Sequence, residues 1–561
     1  MVERPWLTHY PEGIDWNFDI APKPLYALLD DAAELYPQNT ALDFYGRRYS
    51  YAELKSLTDK AAAGFQNLGV GAGSKVGLFL PNVPHYVIAY YAILKAGGTV
   101  VNFSPLYSER ELLDQVADSG VEMMVTLDLE ALYPKMLSVL KQSSLKRIIV
   151  GTFPEVLPWP KNWLFPIFKR SEVAKTEWDS RHEHFHRLFE AGSTYKPLSF
   201  DPRQQVAVLQ YTGGTTGTPK GAMLSHANLY VNALQSKLWF SGVRLGEERI
   251  LAVLPFFHVF AMTGVLNMGI AVGGELLMLP RFELEAVMKL IAKERPSLMA
   301  GVPTMYRAFL NHPLAAQGAL KSLRLCISGG APLPVELKKT FEETSGCKLF
   351  EGYGLTESSP VAAANPVIGS NKPGSIGQPV PGTDILIVDR ENPMKEMPLG
   401  EIGEIAISGP QVMLGYWNRP EATAETVVNG RLLTGDLGYM DAEGYTFIID
   451  REKDLILVSG YNVFPRHIEE VLYEHPAVAE AIVIGVPDTY RGEAPKAFVT
   501  LKPGNEGLTA EALLIFLRER LGKHEIPREV EFRDSLPKTM VGKLSKKELI
   551  AEEKAKLAAK T

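Results

Sequence analysis

The chain has 561 residues, 46% of them hydrophobic and 22% charged, with a formal charge of −7. That length is too great for one core, so at least two domains are expected, and the composition is that of a soluble globular protein. A negative charge without any basic block argues against a nucleic-acid partner, and two cysteines, Cys326 and Cys347, exclude a disulfide framework or a four-thiolate metal site and suit a reducing cytoplasm. The opening stretch MVERPWLTHYPEGIDW lacks a basic segment followed by an apolar one, so no signal peptide is expected.

From residue 24 to 200 helical and strand patterns alternate. Helical spacing covers 25–35, 51–68, 86–95 and 109–118; apolar runs at 75–80, 99–103 and 121–127 read as strands. This alternation predicts a parallel sheet covered by helices. Residues 152–171 differ: Pro154, Pro158, Pro160 and Pro166 sit among Trp159, Trp163, Phe165 and Phe168, beside Lys161, Lys169 and Arg170. This is either a surface element touching a membrane, with aromatics at the interface and cations at lipid phosphates, or a long surface loop.

At 206–209 an apolar run reads as a buried strand. It breaks into YTGGTTGTPKG (211–221), where Thr212, Gly213, Gly214, Thr215, Thr216 and Gly217 precede Lys220. Glycines let backbone N–H groups approach an anion, hydroxyls add donors and the lysine adds a point charge, a chemistry suited to polyphosphate. It is not the Gly-Lys-Ser/Thr pattern, because Lys220 stands between Pro219 and Gly221. The apolar window 250–280 is long enough for a membrane span, but its Pro255, His258 and Glu275 favour a buried strand, a loop, a core helix and another strand.

His258 follows the first of those strands, at the end where open α/β sheets bind ligands; a satisfied core histidine is the alternative. Gly301 and Val302 follow a further strand, and a glycine there can leave a pocket floor open. Residues 323–327 run into Gly330, Ala331 and Pro332 ahead of a helix at 335–343, a strand–turn–helix layout. In EGYGLTE (351–357), Gly352, Tyr353 and Gly354 offer a flat ring beside open backbone, Thr356 a hydroxyl, and Glu357 a hard oxygen ligand suited to Mg²⁺. Asp436 in Thr434-Gly435-Asp436 can accept from a ribose diol or close an Asx-turn. The charge run 450–454 separates two bodies of sequence. Beyond it, 455–561 reads as a small α+β unit with helices at 465–474 and 509–521, strands at 480–486 and 497–501, and a basic tail in which Gly542 presents Lys543.

YTGGTTGTPKG, EGYGLTE, TGD and the tail lysine together resemble the adenylate-forming enzymes, and residues 441–460 are similar to the long-chain fatty acyl-CoA synthetases within them. The resemblance spans about residues 24–547. It implies an α/β fold: a large N-terminal adenylate-forming domain (1–450) with helix-covered sheets, and a small mobile α+β C-terminal domain (451–561). It implies ATP-dependent activation of a long-chain fatty acid to acyl-AMP and transfer to CoA. Thr212 to Gly217 and Lys220 would hold phosphates, Thr212 and Glu357 the Mg²⁺, and Gly330, Ala331, Pro332 and Tyr353 the adenine. Asp436 and Arg451 would hold the ribose, with Lys453 as pivot. His258, Gly301 and Val302 would line the acyl site, Ser459, Gly460 and Tyr461 the CoA channel, and Lys543 would serve adenylation. Two departures stand out: Asp450-Arg451 where many relatives have Gly-Arg, and Val541-Gly542-Lys543-Leu544 where they have Ser-Gly-Lys-Ile. A medium-chain or aryl-acid CoA ligase, a carrier-protein loader and a non-catalytic fatty-acid binder are the alternatives. Peripheral contact with the inner face of a membrane and a homodimer are left open.

Overall fold

The computed structural model describes residues 4–192, 194–212, 219–488, 490–539 and 542–558. The calls on Gly213, Gly214, Thr215, Thr216 and Gly217 therefore fall outside the described residues.

Two large sheets form the centre. The seven-stranded one is ordered His182–His184, Arg147–Gly151, Met123–Leu127, Lys75–Leu78, Thr99–Asn102, Val206–Thr212, Lys220–Ser225. Its strands pair parallel except for the last two. The nine-stranded one has Glu275–Met278, Arg249–Ala252, Leu298–Gly301, Leu325–Ser328 and Lys348–Gly354 as its parallel centre. The helix Pro84–Lys95 is buried along its whole length, so it reads as apolar all round rather than striped. Asn82 ties the two halves together: its Nδ2 donates to Leu254 O at 2.7 Å and its Oδ1 accepts from Phe256 N at 2.8 Å. Gln210 Nε2 donates to Phe257 O at 2.9 Å, which fixes the loop carrying His258.

A third, antiparallel sheet contains Asp384–Val388, Gly403–Ser408, Arg431–Met440 and Thr446–Arg451. It packs onto the same core as the two large sheets, a cluster running from Trp6 to Met440. Beyond residue 455 the buried side chains form separate clusters, one from Ile456 to Val530 and one around Phe498, Leu536 and Leu549. Helix Pro465–Glu474 lies where its apolar spacing puts it.

Several elements differ from the sequence reading. The phosphate-loop candidate is the connection of a β-hairpin, because Lys220–Ser225 turns back antiparallel to Val206–Thr212 with Thr212 opposite Lys220. The basic tail contains a strand, Glu529–Phe532, and a helix, Lys547–Ala558. Within 152–171, Lys161–Phe168 is a helix with no buried residue. The window 250–280 is a buried strand–helix–strand, and no helix among the described residues is long and apolar enough to cross a membrane.

Candidate functional site

The strand ends of the central sheets meet the third sheet at a cluster of polar side chains. Tyr353, near the end of Lys348–Gly354, donates its hydroxyl to Asp436 Oδ2 at 2.6 Å. Arg451 Nε donates to the other oxygen of Asp436 at 3.1 Å, and the two residues are register partners on adjacent strands. Asp436 is 4% exposed, so this pairing fixes a carboxylate at the bottom of the site. Burial, and then the Asp436 charge, lifts the Tyr353 phenol well above its ordinary range. Burial works against the Arg451 charge, but Asp436 and Tyr353 outweigh it and raise the pKa.

Gly354 is a glycine of necessity. A Cβ there would lie 1.7 Å from Pro360 O, closer than any side chain tolerates. Gly330 sits in the left-handed region (φ 76°) at the turn after Leu325–Ser328, alongside Ala331 and Pro332. Gly352 packs on Ile327. Thr356 and Glu357 open a short 3₁₀ turn, and Glu357 Oε1 accepts from Tyr416 OH at 2.6 Å. Lys220 Nζ stands 4.9 Å from the centre of the same Tyr416 ring. The stretch 414–417 is laced to the hairpin: Leu414 N donates to Met223 O and Trp417 N to Gly221 O. Tyr416 thus bridges Lys220 and Glu357, a role the sequence reading missed; its place beside Gly415 in an aromatic pair was the available signal. A cavity of about 370 Å³ opens here, lined by Leu355, Glu357, Tyr416, Thr434 and Gly435.

His258 Nδ1 accepts from Phe260 N at 3.3 Å, so its ring proton sits on Nε2. Burial, aided by the Lys543 charge, pushes His258 down to about 4, which keeps the imidazole neutral at physiological pH. The helical segment that follows contains a π turn, Met262–Asn267, a feature frequent at functional sites and invisible to periodicity.

Lys543 arrives from the small body directly after Gly542, which adopts the left-handed region (φ 79°). Thr539 N donates to Lys543 O at 2.6 Å, and Thr304 Oγ1 of the large body donates to Gly542 O at 2.9 Å. The ammonium lies within electrostatic reach of Arg451, Asp436, Asp454 and Lys453. Burial, and next the Arg451 charge, bring it down to about 8. Burial and Arg451 likewise lower Lys453, in the 3₁₀ turn Glu452–Asp454.

Gly301 corrects one expectation. It does not face open space: a Cβ there would lie 2.8 Å from Met299 Cε and 3.0 Å from the Tyr306 ring. Val302 is buried beside it. Among the described residues, Ser459, Gly460 and Tyr461 share no hydrogen bond or ring contact with the other candidates. Ser459 (φ 53°) and Gly460 (φ 87°) form the two-residue turn of a hairpin, and Tyr461, 62% exposed, stacks on His524 at 5.1 Å.

The strand-end cluster, with a tail lysine delivered from a second body, defines a nucleotide-activating class of enzyme, and the chain belongs to the AMP-binding enzyme family. Residues 29–417 match the AMP-binding enzyme and residues 467–543 its C-terminal domain. The chain is 44% identical over 556 residues to the long-chain-fatty-acid–CoA ligase of Bacillus subtilis (strain 168), covering 98% of each chain. It is 37% identical to the same-named ligase of Salmonella typhimurium, covering 99% of each. Its fold is similar to the ATP-bound crystal structure of MatB from Rhodopseudomonas palustris, with a TM-score of 0.83 and 28% identity, covering 95% of this chain and 99% of that one.

Proposed function

We propose that this protein is an AMP-forming long-chain fatty acid–CoA ligase working in two half-reactions. In the first, a carboxylate oxygen attacks the α-phosphorus of ATP. A phosphorus–oxygen bond to the acid forms, the bond to the β-phosphate oxygen breaks, and pyrophosphate leaves. In the second, the CoA sulfur attacks the acyl carbonyl, a thioester forms, the thiol proton is lost and AMP departs.

The observation that carries this reading is the seating of the Lys543 segment on the large body, where Gly542 O accepts from Thr304 Oγ1 at 2.9 Å and the ammonium lies within electrostatic reach of Asp436, Arg451 and His258. Charge accumulates on phosphoryl oxygens during the first step, so placed cations and donors supply most of the acceleration. Lys543 supplies a cation where substrate and α-phosphate oxygens would lie, and neutral His258 offers its Nε2 proton to the acid. Tyr353 gives a flat face to adenine beside Gly330, Ala331 and Pro332. Asp436 accepts from the ribose hydroxyls with Arg451 holding it in place, while Thr212 and Lys220 border the phosphate loop.

Glu357 and Thr212 suit a Mg²⁺ carried in on phosphate: Tyr416 occupies one Glu357 oxygen and leaves the other, and no larger cluster of acids or histidines occurs among the described residues. An ion there would neutralise phosphate charge.

The two bodies divide at 450/451 in this reading. The small one swings about Lys453 between half-reactions, withdrawing Lys543 and presenting Ser459, Gly460 and Tyr461 to CoA. The long-chain preference rests on the similarity to the two ligases. A cytoplasmic enzyme with peripheral lipid contact completes the reading, supported by Trp159, Trp163 and Phe168, which are 83%, 67% and 77% exposed beside Lys161 and Arg170.

A panel of acids from acetate through palmitate and oleate, with benzoate, tests the substrate class. AMP release that depends on CoA and is fastest with the long acids is expected. Preference for benzoate or acetate, or AMP release indifferent to CoA, would overturn it.

A further inference from the structure

Asp450, one of the two departures from the relatives' pattern, has no part in the scheme above, yet it is 5% exposed and fully engaged. It sits on the strand Thr446–Arg451, register partner of Leu437 in the sheet that packs on the large core. Its Oδ1 accepts from Arg451 N at 2.8 Å. Its Oδ2 accepts from Arg466 N, also at 2.8 Å. Arg466 is in the first turn of the small body's helix Pro465–Glu474, whose own N-cap residue, Phe464, makes no side-chain cap. A helix start leaves unpaired N–H donors and a partial positive charge, and a carboxylate satisfies both. Here the cap comes from the other body.

A cation of the small body lies within electrostatic reach of the same carboxylate without pairing to it directly. Lys546, three residues beyond Lys543, pairs with Asp454 at 3.4 Å and Glu469 at 3.8 Å. Burial lifts the Asp450 pKa, and the Lys546 charge is the first force opposing that rise. Glu469 is pinned by Val483 N at 2.8 Å, so Lys546 has a fixed place in the small body. Lys546 is therefore held by Asp454 and Glu469 just past the Lys543 turn, while Gly542 within that turn is held by Thr304.

We propose that Asp450 is a positioning residue for adenylate formation: anchored in the large body, its carboxylate caps the small body's helix at Arg466 and so holds the Lys543 segment over the nucleotide. The proposal rests on the two-half-reaction reading. Lys546 keeps Glu469 and Asp454 on its own side of the pivot, whereas Asp450 loses Arg466 and Lys546 together when the small body swings. The cap is thus specific to one orientation.

The full-length Asp450→Ala and Asp450→Asn proteins test this. Two rates are read: pyrophosphate release from oleate and ATP without CoA, and acylation of CoA from supplied oleoyl-adenylate. Asp450→Ala lowers the first about tenfold, the ratio that a lost cap of ~1.4 kcal/mol gives. Asp450→Asn keeps an acceptor for Arg466 but no charge for Lys546, and falls between. The second rate stays within about twofold, because the cap is already released in that step. Equal losses in both rates with a lowered Tm, or no loss in either, overturn the proposal. A wild-type protein that releases no pyrophosphate with any acid would instead sink the reading beneath it.

Discussion

Raising the pH through the titration of Lys543 is the perturbation whose size the structure fixes best. Burial and the neighbouring Arg451 bring this ammonium from 10.5 to about 8 in the nucleotide-free protein. Only the protonated form carries the charge that adenylation needs. One pH unit above the pKa about a tenth of the lysine remains charged, so kcat/KM for ATP falls about tenfold at pH 9 and the alkaline limb has unit slope. The sign follows for stability too. A depressed lysine binds fewer protons in the folded than in the unfolded chain between about pH 8 and 10.5, so this group makes folding more favourable as pH rises through that window. The assay is initial pyrophosphate release at subsaturating ATP from pH 6.5 to 9.5, with thermal unfolding at each pH. Bound phosphate restores the ammonium, so the limb in kcat lies further to the alkaline side than that in kcat/KM. Lys543→Arg keeps a charge at every pH; a slower enzyme with the limb abolished is expected. A wild-type kcat/KM that stays flat to pH 9.5 would refute the reasoning, since it would mean that the lysine is not desolvated among these neighbours.

Three further outcomes follow from particular contacts. Tyr416→Phe removes the 2.6 Å hydrogen bond to Glu357 while keeping the ring under Lys220. Pyrophosphate release should drop about tenfold and half-saturation should need more Mg²⁺, the loss expected when a charge-assisted bond is removed; an unchanged Mg²⁺ titration counts against the bridge. Gly301→Leu must displace Met299 and the buried Tyr306, whose hydroxyl donates to Ile327 O at 2.7 Å, so it should cost about 1–3 kcal/mol in chemical denaturation. A stable variant with a shortened acyl preference would show that the residue faces a tunnel after all. Replacing Trp159, Trp163 and Phe168 with serine should abolish flotation with anionic vesicles while sparing turnover of a soluble medium-chain acid; equal recovery of both proteins removes the lipid contact.

The parts of the site that could be read from sequence were those whose chemistry is local. A glycine-threonine run behind a core strand, a Thr-Gly-Asp turn and a tail lysine after a glycine each suggest a chemistry in a few residues, and the structure brings Asp436 and Lys543 within electrostatic reach of each other. The alternating patterns before residue 127 placed strands and helices to within a few positions, because burial on a parallel sheet writes a clear code. What stayed hidden depends on neighbours distant in sequence. Tyr416 gains meaning only when the hairpin Val206–Ser225 brings Lys220 under its ring. Gly301 looked open because the sequence does not say that Met299 and Tyr306 fill the space beside it. The tail helix Lys547–Ala558 is half charged and rests on Leu549 and its neighbour Ile550, too narrow a stripe for periodicity to register. Helix Lys161–Phe168 was masked by the proline within it.

The most direct measurement compares Lys543→Ala with wild type in the two half-reactions taken separately. Pyrophosphate release from oleate and ATP should fall by at least about a hundredfold, as losing a placed cation at a phosphoryl-transfer centre demands, while CoA acylation from supplied oleoyl-adenylate stays near the wild-type rate. Parallel losses in both would contradict the account, because they would mean that this lysine does not act on the nucleotide step alone.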